Sequence, residues 1–186
     1  RAFAAQEAPA EEQVVEDDEE EGEFWEEDFE GGGDFHLNKI TASDGRLFIA
    51  AEAGNIYRSD DAGDSWYAMT TPYGGSFFSA LSLDGGDLLA FGLRGNVFRS
   101  ADGGENWRQV DTPVQTTLTE GTQLDDGTIV IVGMSGTILI SEDGGDSFRL
   151  VQREDRKALT SVIGRQDGGL IVFGEAGLDP MSREEL

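Results

Sequence analysis

The feature that most constrains this chain is a period. Gly54, Gly95, Gly136 and Gly177 stand 41 residues apart, and Gly45, Gly86, Gly127 and Gly168 keep the same spacing. So do the apolar positions Leu47, Leu88, Ile129 and Leu170. Chance does not hold three independent classes of position in register over four copies. The chain is a repeat protein, whose units bury apolar surface against their neighbours.

Each unit reads as four short strands. First strands are expected at 37–41, 77–83, 118–124 and 159–163, and second strands at 47–51, 88–91, 129–132 and 170–173. Between them lie Ser43-Asp44-Gly45, Asp84-Gly85-Gly86, Asp125-Asp126-Gly127 and Asp167-Gly168-Gly169. Asp-Gly and Gly-Gly between apolar runs are strong hairpin signals, because the twisted hairpin turn needs positive φ. The second strands are almost continuously apolar, as strands covered on both faces are. Third strands follow at 56–58, 97–99 and 138–140, and fourth strands at 66–69, 107–110 and 148–151. Four antiparallel strands in about 40 residues describe one blade of a β-propeller. The expected fold is all-β: a propeller, or part of one, of about four such units over residues 35–186.

A polar pattern leads into each fourth strand. It runs Ser59, Asp61, Gly63, Trp66; then Ser100, Asp102, Gly104, Trp107; then Ser141, Asp143, Gly145, Phe148. A carboxylate there can accept hydrogen bonds from backbone N–H groups inside the turn. Such bonds to a charged acceptor are worth about 1.5–3 kcal/mol. Glycine supplies the freedom to bend, and the aromatic points back between sheets. All three parts pin a hairpin and none is a catalytic group, so these residues read as structural.

These three motifs resemble the Asp-box, or bacterial neuraminidase repeat, of β-propeller proteins. The wider pattern, as in the run from Gly92 to Trp107, is similar to the photosystem II stability/assembly factor-like family, over residues 35–177. That resemblance implies a propeller scaffold of about seven blades that binds a protein partner, including membrane-protein complexes, in photosynthetic and other bacteria. Family assembly factors present arginines near the Gly-x-Gly turns. Here those positions hold Ala53, Arg94, Ser135 and Ala176, so only Arg94 matches. In the fourth unit Ser182 is in register, but Glu184 stands where Asp belongs.

Charge divides the chain. Of its net −25, residues 1–34 carry −14, with 15 acids against Arg1 alone, and residues 35–186 carry −11. This balance argues against nucleic acid, whose phosphates need Lys and Arg. The acidic run reads either as a solvated tail or, in residues 13–25, as a worn half-blade, since Trp25 lies 41 residues before Trp66. Such a half-unit would complete the fourth unit and cover its edge near 170–173. The opening Ala2 and Ala4 resemble the end of an export signal, which would place the protein in the periplasm or outside; a cytoplasmic location stays open. No cysteine is present, and no apolar run has the length of a membrane-crossing helix.

Asp60-Asp61-Ala62-Gly63-Asp64 and Asp143-Gly144-Gly145-Asp146 lack the alternating acids and final Glu of a calcium loop, so no metal and no cofactor is expected. A sialidase needs an arginine cluster and a Tyr–Glu pair. Arg58, Arg99 and Arg149 fall on separate units and read as solvated strand ends, and Tyr57, Tyr67 and Tyr73 have no Glu at a telling spacing. His36, the single histidine, reads as a partly buried strand residue. Tyr73, Phe77 and Phe78 cluster in the linker before the hairpin that leads to Arg94; with Arg94 they form the candidate docking edge for a protein. The expectation is a non-catalytic scaffold, with a carbohydrate-active enzyme or lectin-like module as the competing class.

Overall fold

A computed structural model describes residues 35–186, where the regular structure is β apart from three one-turn 3₁₀ segments. Four antiparallel sheets follow one another along the chain. The first holds β1 (Leu37–Ser43), β2 (Arg46–Ala51), β3 (Ile56–Ser59) and β4 (Tyr67–Met69). The second holds β5 (Phe77–Ser82), β6 (Leu88–Gly92), β7 (Val97–Ser100) and β8 (Arg108–Val110). The third holds β9 (Leu118–Gln123), β10 (Ile129–Gly133), β11 (Thr137–Ser141) and β12 (Arg149–Gln152). The fourth has three strands, β13 (Leu159–Gly164), β14 (Leu170–Gly174) and β15 (Gly177–Met181). β15 has no counterpart among the strands expected from sequence. It contains Pro180, which has no N–H to donate and is tolerated because β15 is an edge strand.

The nearly continuous apolar runs of β6 and β10 have a packing reason. Leu88 and Ala90 face the first sheet, in a cluster with Phe48, Ala50, Ile56 and Met69. Leu89 and Phe91, on the opposite side of the same strand, pack with Ile129, Ile131 and Leu139 of the third sheet. Val130, Val132, Ile138 and Ile140 then pack with Leu159, Val162, Leu170 and Val172 of the fourth. Each such side chain contributes about 1.5–3 kcal/mol when fully buried. The core is thus three layers between four sheets, and the opening strands β1, β5, β9 and β13 touch in succession along the inside. The sheets do not close among the described residues; they form an open arc of a propeller.

Two arginines expected as solvated strand ends join neighbouring sheets. Arg58, only 7% exposed, donates from Nη1 to the Gly103 carbonyl (3.0 Å) and to Glu105 (2.6 Å), while its Nη2 holds Asp60. Arg99 repeats the bridge one sheet on, from Nε to the Gly144 carbonyl at 3.0 Å, and pairs with Asp87. Arg149 lies exposed, as expected. His36 precedes β1 and is exposed, its Nδ1 3.1 Å from Glu52, so the partly buried strand position expected for it is corrected. The acidic segment 1–34 and its half-unit at 13–25 lie outside the described residues. The strand that half-unit was expected to cover, β14, is paired on both sides, with β13 and β15.

Candidate functional site

The turns that lead into the fourth strands are closed by one repeated hydrogen-bond set. Ser59 Oγ donates to Asp61 Oδ1 (2.7 Å) and accepts from the Gly63 N–H (2.9 Å). Asp61 in turn accepts from the N–H (2.9 Å) and hydroxyl (2.6 Å) of Ser65. Ser100, Asp102, Gly104 and Asn106 repeat this, as do Ser141, Asp143, Gly145 and Ser147. The Ser65 hydroxyl, then its N–H and Ser59, hold the Asp61 carboxyl down at about 2. Ser147 and Ser141 hold Asp143 at about 2 in the same way, and Asn106 lowers Asp102. The Trp66 and Trp107 indole N–H groups donate to the carbonyls of Gly63 and Gly104. Both rings are half-buried, whereas Phe148 is 8% exposed and belongs to the core. In the fourth unit Ser182 donates to Glu185 Oε2 (2.8 Å), so a longer carboxylate one position beyond Glu184 closes a 3₁₀ turn instead.

Asp61, Asp102 and Asp143 are each engaged by backbone and side-chain donors of their own turn. The groove at Arg99, Asp102, Asn106 and Trp107 is small, about 230 Å³. Among the described residues no three His, Asp or Glu side chains gather as metal ligands would.

The turns joining second to third strands are different. Ala53-Gly54, Arg94-Gly95 and Ser135-Gly136 each hold two successive residues at positive φ, with Arg94 at 58° and Gly95 at 73°. That is the backbone of the tight hairpin turn, which glycine and asparagine adopt freely and arginine does not. Neighbouring linkers brace the turns. Thr71 Oγ1 donates to the Gly54 carbonyl (2.6 Å) and Thr112 Oγ1 to that of Gly95 (2.7 Å). Space is tight beneath them: a Cβ on Gly54 would lie 1.8 Å from the Tyr73 carbonyl oxygen.

The four residues expected to dock a partner divide here. Arg94 is exposed at its turn, and no salt bridge reaches it among the described residues. Tyr73 is half-buried; its hydroxyl donates to the Leu93 carbonyl (3.2 Å) and accepts from Asn96 (3.4 Å), and burial raises its pKa. Phe77 is fully buried, its ring 5.1 Å from that of Tyr73 and 5.7 Å from Phe98, so it belongs to the core between sheets and not to a surface. Phe78 is half-buried at the bulge where β5 slips against β6 between Phe77 and Ser79. Arg94 and Tyr73 thus come together, with Tyr73 as the prop and Arg94 as the presented group.

Sequence reasoning missed two cations on the same side. Arg156 Cα lies 3.1 Å from where a Cβ on Gly136 would be, beside the turn equivalent to Arg94-Gly95. Arg156 holds φ 50°, and both it and Lys157 are exposed. The signal was present as the run Arg153-Glu154-Asp155-Arg156-Lys157, but only the threading of that linker under the Gly136 turn makes it part of this face.

No family model and no curated protein matches the chain. Among solved structures it is similar to YCF48 bound to D1 peptide, with 18% identity and a TM-score of 0.63, covering 83% of this chain and 51% of that one. It is also similar to a catalytically inactive virginiamycin B lyase from Staphylococcus aureus with quinupristin, with 15% identity and a TM-score of 0.73, covering 84% and 55%. An ancestral GH74 enzyme gives 13% identity and a TM-score of 0.68, covering 78% and 22%. At these identities the likeness is one of propeller fold, and the chain spans about half of the first two neighbours and less of the third. Enzymes and a peptide-bound protein share that fold, so the fold itself assigns neither role.

Proposed function

We propose that this chain is a non-catalytic propeller scaffold of the bacterial envelope that binds a protein segment on the face carrying the Arg94, Ser135 and Ala53 turns. The observation that carries the reading is Arg94 itself. An arginine is held in the left-handed region, on a braced turn, exposed, with no carboxylate partner among the described residues. A strained residue kept at a surface points to use. In a chain of net charge −25, a surface cation beside half-buried apolar side chains favours an acidic or carbonyl-rich segment of a partner. That a propeller of similar fold holds a peptide supports a protein ligand. Arg156 and Lys157 add two further cations beside the Gly136 turn, in a linker that also carries Glu154 and Asp155. A membrane-protein complex is the partner class that the family resemblance implies.

The test is capture from a solubilised envelope extract on immobilised protein, compared for wild type and Arg94→Ala, with thermal melting of both. Specific capture that falls at least about tenfold in the variant, at unchanged melting temperature, supports the reading. Equal capture by both sinks it, and so does hydrolysis of a glycan by the purified wild type.

A further inference from the structure

Aspartate is followed by glycine at 44–45, 84–85, 102–103, 126–127, 143–144 and 167–168. Glycine has no side chain to shield its N–H, so its nitrogen can attack the carboxyl carbon of the preceding aspartate. The new C–N bond forms as the nitrogen loses its proton and the carboxyl its hydroxyl, one water leaves, and a five-membered cyclic imide results. Water then opens the imide at either carbonyl. Addition at the side-chain carbonyl restores aspartate; addition at the main-chain carbonyl gives isoaspartate, whose backbone runs through the former side chain and is one carbon longer. The closure needs a protonated carboxyl, which can shed water, and a carboxyl and N–H both free to meet. The turns at 102, 126, 143 and 167 deny it this. Asp102 accepts from Ser100, from the Asn106 N–H (2.9 Å) and from the Asn106 amide (2.8 Å), and Ser141 and Ser147 hold Asp143 in the same way. Those bonds also keep both carboxyls ionised. Asp126 accepts from the Thr128 N–H (3.0 Å) and pairs with Arg183 (2.8 Å), while the Gly127 N–H is taken by the Leu124 carbonyl. Asp167 accepts from the Gly169 N–H (3.1 Å) and pairs with Arg165 (2.6 Å), whose carbonyl takes the Gly168 N–H.

Asp44-Gly45 and Asp84-Gly85 differ on every count. Neither carboxylate accepts a hydrogen bond or joins an ion pair among the described residues, and neither glycine N–H meets a backbone acceptor there. All four residues are exposed, and a Cβ on either glycine would meet nothing within 4 Å. Asp44 also sits at φ 49°, a left-handed backbone that a non-glycine residue holds under strain. We infer that Asp44-Gly45 and Asp84-Gly85 are modification sites, where the folded protein converts aspartate to isoaspartate through the cyclic imide, while the bonds closing the other four turns protect them. Both sites join the first strand of a sheet to its second, β1 to β2 and β5 to β6. The added main-chain carbon enters a turn between strands in fixed register, with Ser43 opposite Arg46 and Ser82 opposite Leu88. Isoaspartate carries a free α-carboxylate, the group that a carboxyl methyltransferase using S-adenosylmethionine takes as substrate in repair. Exposed turns offer it to such an enzyme.

Each passage through the imide takes up one oxygen from water, and heavy-oxygen labelling reads it. The full chain is incubated folded at neutral pH in water enriched in heavy oxygen, returned to ordinary water and digested with trypsin. Peptide 40–46 holds Asp44 as its single acid, peptide 100–108 holds Asp102, and fragmentation of peptide 59–94 locates Asp84. Label and isoaspartate are expected at Asp44 and Asp84. Peptide 100–108 should label at least about tenfold more slowly, the factor that one hydrogen bond to a charged group is worth. In guanidinium the peptides 40–46 and 100–108 should label alike, because only the fold sets them apart. A folded protein in which 100–108 labels as fast as 40–46 overturns the inference. So does a peptide 40–46 that stays unlabelled in the folded protein, or the same gap between the two peptides in guanidinium.

Discussion

The hydroxyl of Tyr73 donates to the carbonyl of Leu93 at 3.2 Å, tying the linker between the first two sheets to the residue that precedes Arg94. Arg94 is therefore presented by a turn whose geometry is set from a neighbouring unit. Tyr73→Phe removes that bond while keeping the ring contacts with Phe77 and Phe98. The expected loss is about 1 kcal/mol of stability, with a several-fold weaker capture of the partner. Chemical denaturation and binding isotherms on the same preparation check both.

Arg58→Ala removes a bridge between the first two sheets. The guanidinium serves Asp60, Glu105 and the Gly103 carbonyl, and its charge is favoured by those contacts. Asp60 and Glu105 stay solvated once it is gone, so the loss should fall below the 3–5 kcal/mol of a fully buried pair and lie near about 1.5–3 kcal/mol. Urea unfolding measures it. The exposed Arg149→Ala should change stability by less than about 0.5 kcal/mol.

Acid should unfold the protein through its turns. Asp61 and Asp143 titrate at about 2 in the folded chain and at about 3.9 when unfolded. The unfolded state then binds more protons, so their contribution is complete above about pH 4 and is lost as pH falls toward 2. Urea midpoints measured down this range should fall steeply in wild type and less steeply in Asp143→Asn. Equal slopes would contradict the role given to the carboxylate.

Two glycines at nearly the same positive φ separate strain from crowding. Gly45 (78°) has open space where a Cβ would go, whereas at Gly54 (77°) the Tyr73 carbonyl oxygen would be 1.8 Å away. Gly45→Ala should cost about 1–2 kcal/mol, for the left-handed backbone alone. Gly54→Ala should cost at least about 2 kcal/mol more, because backbone must move. Melting temperatures of the pair decide it.

Much of the fold was legible because the period carries it. Positions such as Leu88, Ala90, Leu89 and Phe91 face opposite neighbours, and a two-sided strand in a 41-residue frame has few other readings. β15 was not expected although Gly177 keeps its turn in register, since Pro180 argues against a strand that only an edge position permits. The bridges from Arg58 and Arg99 were missed for a different reason. Sequence shows that two residues are repeat-equivalent but not that each reaches 45 positions ahead into the next unit's turn. For the candidate site, Arg94 was readable from its register. The core position of Phe77, the propping role of Tyr73 and the nearness of Arg156 depend on how linkers thread between sheets, which no spacing encodes.

The claim that one face of the arc takes the partner is tested most directly by amide hydrogen exchange on the protein with and without its captured ligand. Binding at the Arg94 face should slow exchange at residues 93–96, 134–137 and 153–157. The turns at the far ends of the same strands, around Gly45, Gly86 and Gly127, should exchange as before. Protection confined to those far turns, or spread without preference over both ends, would contradict the account.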